Sequence, residues 1–360
     1  MPLEPLLGYP PTVSTEPFRL RSWLETRAAR CRRIAQQTIT VAGIAGLVSA
    51  CSGPSLVTAS GEPGCARCSV LAESSTPFVE LQSHDDSLFL LDAREAIWAL
   101  SKATAELANR VPPFSGAAHF GVSAAWLAWV APSDVSGTQT QHIHALGRDA
   151  SAAPPFADFQ GEPELAVGLG DVFVGAYSGD RSGSQVIRYG LADGSMTFPT
   201  ETLSDEETGQ LPRLAGGDAE VVWCRTHADS SSSLWRLGAT GDATKTDYPF
   251  SCAELWTTGD GQIFVLDRAS GMNCYYRIDS TGQSQQLLCA SERYEHFTPL
   301  ADGSVAVVDA ASAAVRRVTT DGQVSLLFEA SYLVGLQSDG DQLFYATANH
   351  VGSFAWRSTR

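Results

Sequence analysis

The chain has 360 residues, of which 18% are charged, and its formal net charge is −16. Acidity of that size repels phosphate backbones and argues against a nucleic-acid partner. With 32 Gly and 18 Pro, the composition suits short strands and tight turns and argues against a fold of long helices.

The first 50 residues hold six Arg and three acids. Arg27, Arg30, Arg32 and Arg33 precede an uncharged run from Ile34 to Ala50. That run is too short and too rich in Gln and Thr to read as a membrane span. Basic flank, short apolar segment and small-residue end make residues 1–50 a secretory signal. The end, Leu47-Val48-Ser49-Ala50-Cys51, resembles the lipobox of bacterial lipoproteins. The resemblance implies that Cys51 carries a thiol-linked lipid, that the chain is cut before it, and that the lipid alone holds the protein at the cell envelope. Ser52, in place of Asp, favours the outer over the inner membrane. Without the leader, 18 basic residues face 37 acidic ones, a balance of −19. Residues 51–65, rich in Ser, Gly, Ala and Pro, read as a flexible tether.

From residue 66 to 360 one unit recurs about seven times. Its second strand begins near Leu88, Trp126, Val172, Val221, Ile263, Val305 and Leu343, at gaps of 38, 46, 49, 42, 42 and 38 residues. Turn pairs such as Gly170-Asp171, Asp260-Gly261 and Asp302-Gly303 precede most of these starts. A third strand follows each time, from Ile97-Trp98-Ala99-Leu100 in the first unit to Phe354-Ala355-Trp356-Arg357 in the last. A further turn and an outer strand complete the unit. Four antiparallel strands at this period make one blade of a β-propeller, so the predicted fold is all-β and seven-bladed, with six or eight blades left open by the irregular first units.

The last unit ends after its third strand. Ser69-Val70-Leu71-Ala72 matches the outer-strand pattern and is predicted to close the last blade from the N-terminal side, which hides an edge. The runs Asp302–Asp309 and Val315–Gly322 resemble NHL-type and related lipoprotein propellers.

Six cysteines lie beyond Cys51, an even number in a chain expected to be exported, which favours disulfides. If Thr281-Gly282 is a two-residue hairpin turn, residues whose numbers sum to 563 face each other, so Cys274 faces Cys289. Cys224 and Cys252 should emerge on one rim of the same blade. Cys65 and Cys68 read as a small local disulfide, since nothing predicts the helix N-terminus that a redox pair needs.

The sequence shows no nucleophile elbow, phosphate-binding loop, dinucleotide fingerprint or H-E-x-x-H. His142 and His144 share a strand face and could pair on a metal, or simply face solvent. Loops between second and third strands carry Asp92, Asp180, His227, Asp229, Asp267, Asp309 and His350, and the links between blades add His119 and Tyr294-Glu295-His296. Convergent acids and imidazoles could hold a divalent cation such as Ca or a polar substrate; the competing reading is that Asp after a strand is turn chemistry. No cofactor is otherwise predicted. The sequence therefore reads as a monomeric binding or scaffold module for an envelope protein or a small polar ligand, leaning away from an enzyme. The alternatives are a metal-dependent hydrolase or lactonase using the rim acids, and a carbohydrate or peptide binder stacking on Trp126, Trp223, Trp235 and Trp256.

Overall fold

The computed structural model describes Cys65 and residues 67–132, 140–147, 152–160, 163–177, 183–199, 203–204, 211–257, 261–268, 271–290, 294–309, 311–330 and 332–357. The leader, Cys51, the tether up to Gly64, and Asp180 lie outside them. The described residues fall within the unit Ser52–Arg360.

All the regular structure described is β. Strand β1 is Cys68–Glu73. Blade I follows as β2 Phe78–His84, β3 Ser87–Asp92, β4 Ile97–Ser101 and β5 Leu107–Val111. Blade II is β6 His119–Val122, β7 Trp126–Pro132, β8 Thr140–Gly147 and β9 Ala152–Gln160. Blade III is β10 Glu164–Gly168, β11 Asp171–Tyr177, β12 Gly183–Tyr189, and an outer strand in two pieces, β13 Met196–Thr197 and β14 Leu203–Ser204, both paired with β12. Blade IV is β15 Arg213–Gly216, β16 Glu220–Thr226, β17 Ser232–Gly238 and β18 Ala243–Tyr248. Blade V is β19 Glu254–Thr257, β20 Ile263–Asp267, β21 Asn273–Ile278 and β22 Ser284–Ala290. Blade VI is β23 Tyr294–Pro299, β24 Val305–Asp309, β25 Ala314–Val318 and β26 Val324–Glu329. Blade VII is β27 Leu333–Asp339, β28 Gln342–Thr347 and β29 His350–Ala355, with β1 as its outer strand. The fold is a seven-bladed β-propeller of antiparallel blades, its ring closed by the N-terminal strand.

The core lies between blades. Seven apolar clusters each join two neighbouring blades, and together they run round the whole ring. Second strands are buried on both faces, which explains why they read as continuous apolar runs. In β20, Ile263 and Val265 face blade IV, while Phe264 and Leu266 face blade VI. In β3, Leu88 and Leu90 face blade VII, while Phe89 and Leu91 face blade II.

First strands crowd the axis, and glycine permits it. A Cβ on Gly216 would sit 2.3 Å from the Val167 carbonyl oxygen of blade III, and one on Gly335 would sit 2.4 Å from Leu81 Cβ of blade I.

Strand direction divides the loops between two faces. Turns joining first to second and third to outer strands share one, here the turn face. Loops joining second to third strands and the links between blades share the other, the loop face.

Among the described residues three disulfides are present: Cys65–Cys68, Cys224–Cys252 and Cys274–Cys289, with Cα separations of 5.3, 6.3 and 4.1 Å. The hairpin behind the last differs from the expected one. Asp279 N–H donates to the Gln283 carbonyl, and Gly282 takes φ +85°, so the loop is one residue longer and the sum of paired numbers near the turn is 562. A bulge between Tyr275 and Tyr276 in the pairing then restores 563 at Cys274 and Cys289. By loop length, removing Cys274–Cys289 (15 residues apart) should cost about 3 kcal/mol, and Cys224–Cys252 (28 apart) about 3.5 kcal/mol. Urea unfolding of the paired Cys→Ala variants measures this. An unchanged midpoint for either pair would remove that bridge from the stabilising set.

Candidate functional site

On the loop face, the acids that close the second strands are occupied by their own loops or by the link that precedes their blade. Asp92 is 1% exposed. Its Oδ1 accepts N–H groups of Arg94 at 2.8 Å and Ala96 at 3.1 Å, and its Oδ2 accepts the Trp98 indole N–H at 3.0 Å. Asp309 accepts from Ala311 and Ser312 N–H, from the Ser312 hydroxyl at 2.6 Å, and from Arg316 Nε at 2.9 Å. The Ser312 hydroxyl, with help from Arg316, holds the Asp309 carboxyl below the usual carboxylate range against the opposing effect of desolvation. Asp267 accepts the Ser251 hydroxyl and N–H, which fixes the buried link from blade IV to blade V. Asp229 accepts the Ser231 N–H at 2.9 Å and its hydroxyl at 2.6 Å, which lowers its pKa.

The imidazoles are similarly placed. His227 Nε2 lies 2.8 Å from Ser233 Oγ, and the Ser233 hydroxyl donates to Asp247. Ser233 has one proton, so His227 supplies the N–H of its own contact. His350 Nδ1 lies 2.9 Å from Thr347 Oγ1, and the ring stands edge-on to Tyr345. His350 begins β29 instead of sitting in the preceding loop, and His119 and Tyr294–His296 belong to β6 and β23 instead of to links. His296 is the bulged residue of β23, at φ +49°. His142 and His144 share one face of β8, and His144 stacks on Trp129 with ring centroids 5.3 Å apart. Burial first, and His142 second, lower the His144 pKa.

The loop face does present apolar side chains. Phe114 is 81% exposed, Tyr332 62%, Met272 41% and Tyr177 38%. Phe114 sits in the link Pro112-Pro113-Phe114-Ser115-Gly116, which is braced against the β3–β4 loop. Phe114 N–H donates to the Arg94 carbonyl at 2.7 Å, the Ser115 hydroxyl to the Glu95 carbonyl at 2.7 Å, and Gly116 N–H to the Glu95 carboxylate at 3.0 Å. Phe114 and Tyr332 both hold positive φ, +62° and +59°, a conformation costing about 1–3 kcal/mol for such residues. The tryptophans singled out as stacking candidates serve the core instead. Trp223 and Trp235 are stacked and buried between blades III and IV, Trp256 stacks on Phe297, and Trp126 packs against the cluster between blades II and III. Phe114 was legible only as a Phe outside any strand run, between a Pro pair and a Gly.

The turn face is where charges meet. Arginines in third strands pair with acids at or shortly before the start of second strands, Arg188 with Asp171, Arg236 with Glu220 and Arg317 with Asp302, and Arg357, two residues past β29, pairs with Asp341. Among the described residues, the one set of three His, Cys, Asp or Glu groups with ligand atoms within 4.8 Å of one another is His84, Asp85 and Asp218. Calcium takes six to eight oxygens, and two carboxylates with one imidazole fit it poorly. The two ring nitrogens point apart, Nδ1 to Asp85 at 3.0 Å and Nε2 to Asp218 at 2.9 Å, so an ion on either nitrogen would leave one carboxylate behind it.

No protein-family model matches this sequence, and no curated protein matches it. Solved structures do resemble it. A virginiamycin B lyase from Staphylococcus aureus is 12% identical, with 78% of this chain and 95% of that one covered and a TM-score of 0.54. A streptogramin B lyase is 14% identical, over 79% and 96%, with a TM-score of 0.54. A prolyl endopeptidase is 10% identical, over 81% of this chain and 49% of that one, with a TM-score of 0.58. At these identities the likeness concerns the fold alone.

Proposed function

We propose that this chain is an exported β-propeller, lipid-anchored through Cys51 at the bacterial outer membrane, that binds a protein partner with its loop face. The observation that carries the reading is Phe114, an aromatic side chain 81% exposed on a link held by three hydrogen bonds. A rigid aromatic anchor loses little entropy on binding, which is how a few residues come to dominate an interface. Asp92 and Asp309 already accept from their own loops and third strands through both oxygens, and Asp267 accepts from Ser251 in the preceding link through Oδ1, which weighs against the hydrolase reading. At the β3–β4 loop that braces Phe114, the Asp92 and Glu95 carboxylates are also engaged, which leaves few groups there to hydrogen-bond a sugar.

Photo-crosslinking in cells tests the face. A crosslinkable side chain at position 114 or 332 should give a discrete adduct, whereas one at position 326, on the outer edge of blade VI, should give none. Equal adducts from all three positions would defeat the reading. For the address, Cys51→Ala should release the protein from membranes; retention there would remove the lipid anchor from the proposal.

A further inference from the structure

We infer that His142 and His144 form a binding site for one divalent transition-metal ion of the copper, nickel and zinc class on the flank of blade II. The two residues stand at alternate positions of β8, so both leave the same face of the strand. Ile143 and Ala145 leave the other face and are buried in the cluster between blades II and III. The histidine face therefore looks toward blade I. Trp129 shares that face: it pairs with His144 in the register and packs against the cluster between blades I and II. Ala131 pairs with His142. The Phe114 link comes down on blade II at the same place, since a Cβ on Gly116 would lie 3.4 Å from Ala131 Cβ and 2.7 Å from Pro132 Cδ. His142 thus lies near the loop-face end of β8, beside that link.

The two rings are close to a chelating arrangement. Their centroids are 6.4 Å apart, with planes at 71°. A tetrahedral ion holding one nitrogen of each at about 2.0–2.1 Å would set the centroids about 5 Å apart, so the rings must close by about 1 Å. His144 is fixed by its stack on Trp129, at 5.3 Å and 12°. His142, partly exposed, is the ring that turns. Imidazole nitrogens select copper, nickel or zinc over calcium and magnesium, which prefer oxygen. Burial first, and His142 second, lower the His144 pKa, so few protons compete with the ion for that ring near neutral pH. Two protein donors fill half of a tetrahedral shell. The remaining positions stay open to water or to a donor from another molecule, as in a site that exchanges its ion and unlike a closed structural one.

Trp129 makes the site readable. Ni²⁺ added to the purified, untagged full-length protein, with free thiols capped and Mg²⁺ in excess, should quench the Trp129 share of the tryptophan emission and saturate at one ion per chain. Zn²⁺, which does not quench, should displace it and restore the emission. His142→Gln and His144→Gln should each weaken binding at least about tenfold, because each breaks the chelate. Trp129→Phe should keep the ion, measured by equilibrium dialysis, and lose the quenching. His84→Gln should bind as the unaltered protein does, which separates this site from the turn-face cluster. Quenching that does not saturate at one equivalent, or that survives unchanged in His142→Gln, would overturn the inference and leave the two histidines as packing beside Trp129. Loss of binding in His84→Gln would overturn it as well, by moving the ion to the turn face.

Discussion

A chain beginning at Ser74 is expected to lose its cooperative fold. Such a chain lacks β1, the strand that closes blade VII by pairing Cys68 with Phe354 and Glu73 with His350. The strand seals two interfaces at once. Cys68 belongs to the cluster between blades VI and VII, and Ala72, fully buried, to the one between VII and I. Its removal would uncover Phe354 and Val351 and leave β29 as an open edge. The loss should be about 5 kcal/mol or more, comparable with the whole stability of many domains. Urea unfolding followed by tryptophan fluorescence decides it. An unchanged midpoint and slope would mean that the ring does not depend on its N-terminal strand.

The repeat was legible because each second strand is buried on both faces. Starts expected at Trp126, Ile263 and Val305 are the observed ones, and those at Leu88, Val172, Val221 and Leu343 differ by a single residue. The final third strand was misplaced. Trp356 and Arg357 look like strand residues, but the strand stops at Ala355. The Trp356 indole N–H donates to the Gly340 carbonyl, and its ring lies between Arg317 and Arg357. The cysteine register came out through two compensating features, a longer turn and a bulge, neither of which periodicity can reveal. The candidate site was harder to read. Local sequence shows that an Asp follows a strand, not where its oxygens point. His84 and Asp218 lie 134 positions apart, so nothing short of the closed ring could join them.

Asp92→Ala should be the most damaging single substitution on the loop face. It strips three donors of their acceptor: two backbone N–H groups and the Trp98 indole N–H. A buried unsatisfied donor costs about 1–3 kcal/mol, and partial relaxation of the loop brings the expected loss to about 4 kcal/mol. Asp92→Asn keeps one acceptor oxygen and should lose about half as much, since its amide must turn N–H groups toward other donors. Asp229→Ala, at an exposed Asx turn, should leave the unfolding midpoint close to that of the unaltered protein. The series separates two roles for the rim acids. If Asp92 is a structural acceptor, thermal unfolding falls in the order Ala below Asn below Asp, and any partner-binding defect tracks that loss. If Asp92 were a metal ligand, Asp92→Asn would leave the melting temperature of the metal-free protein near its original value and abolish stabilisation by the ion. That second pattern would return the hydrolase reading to the loop face.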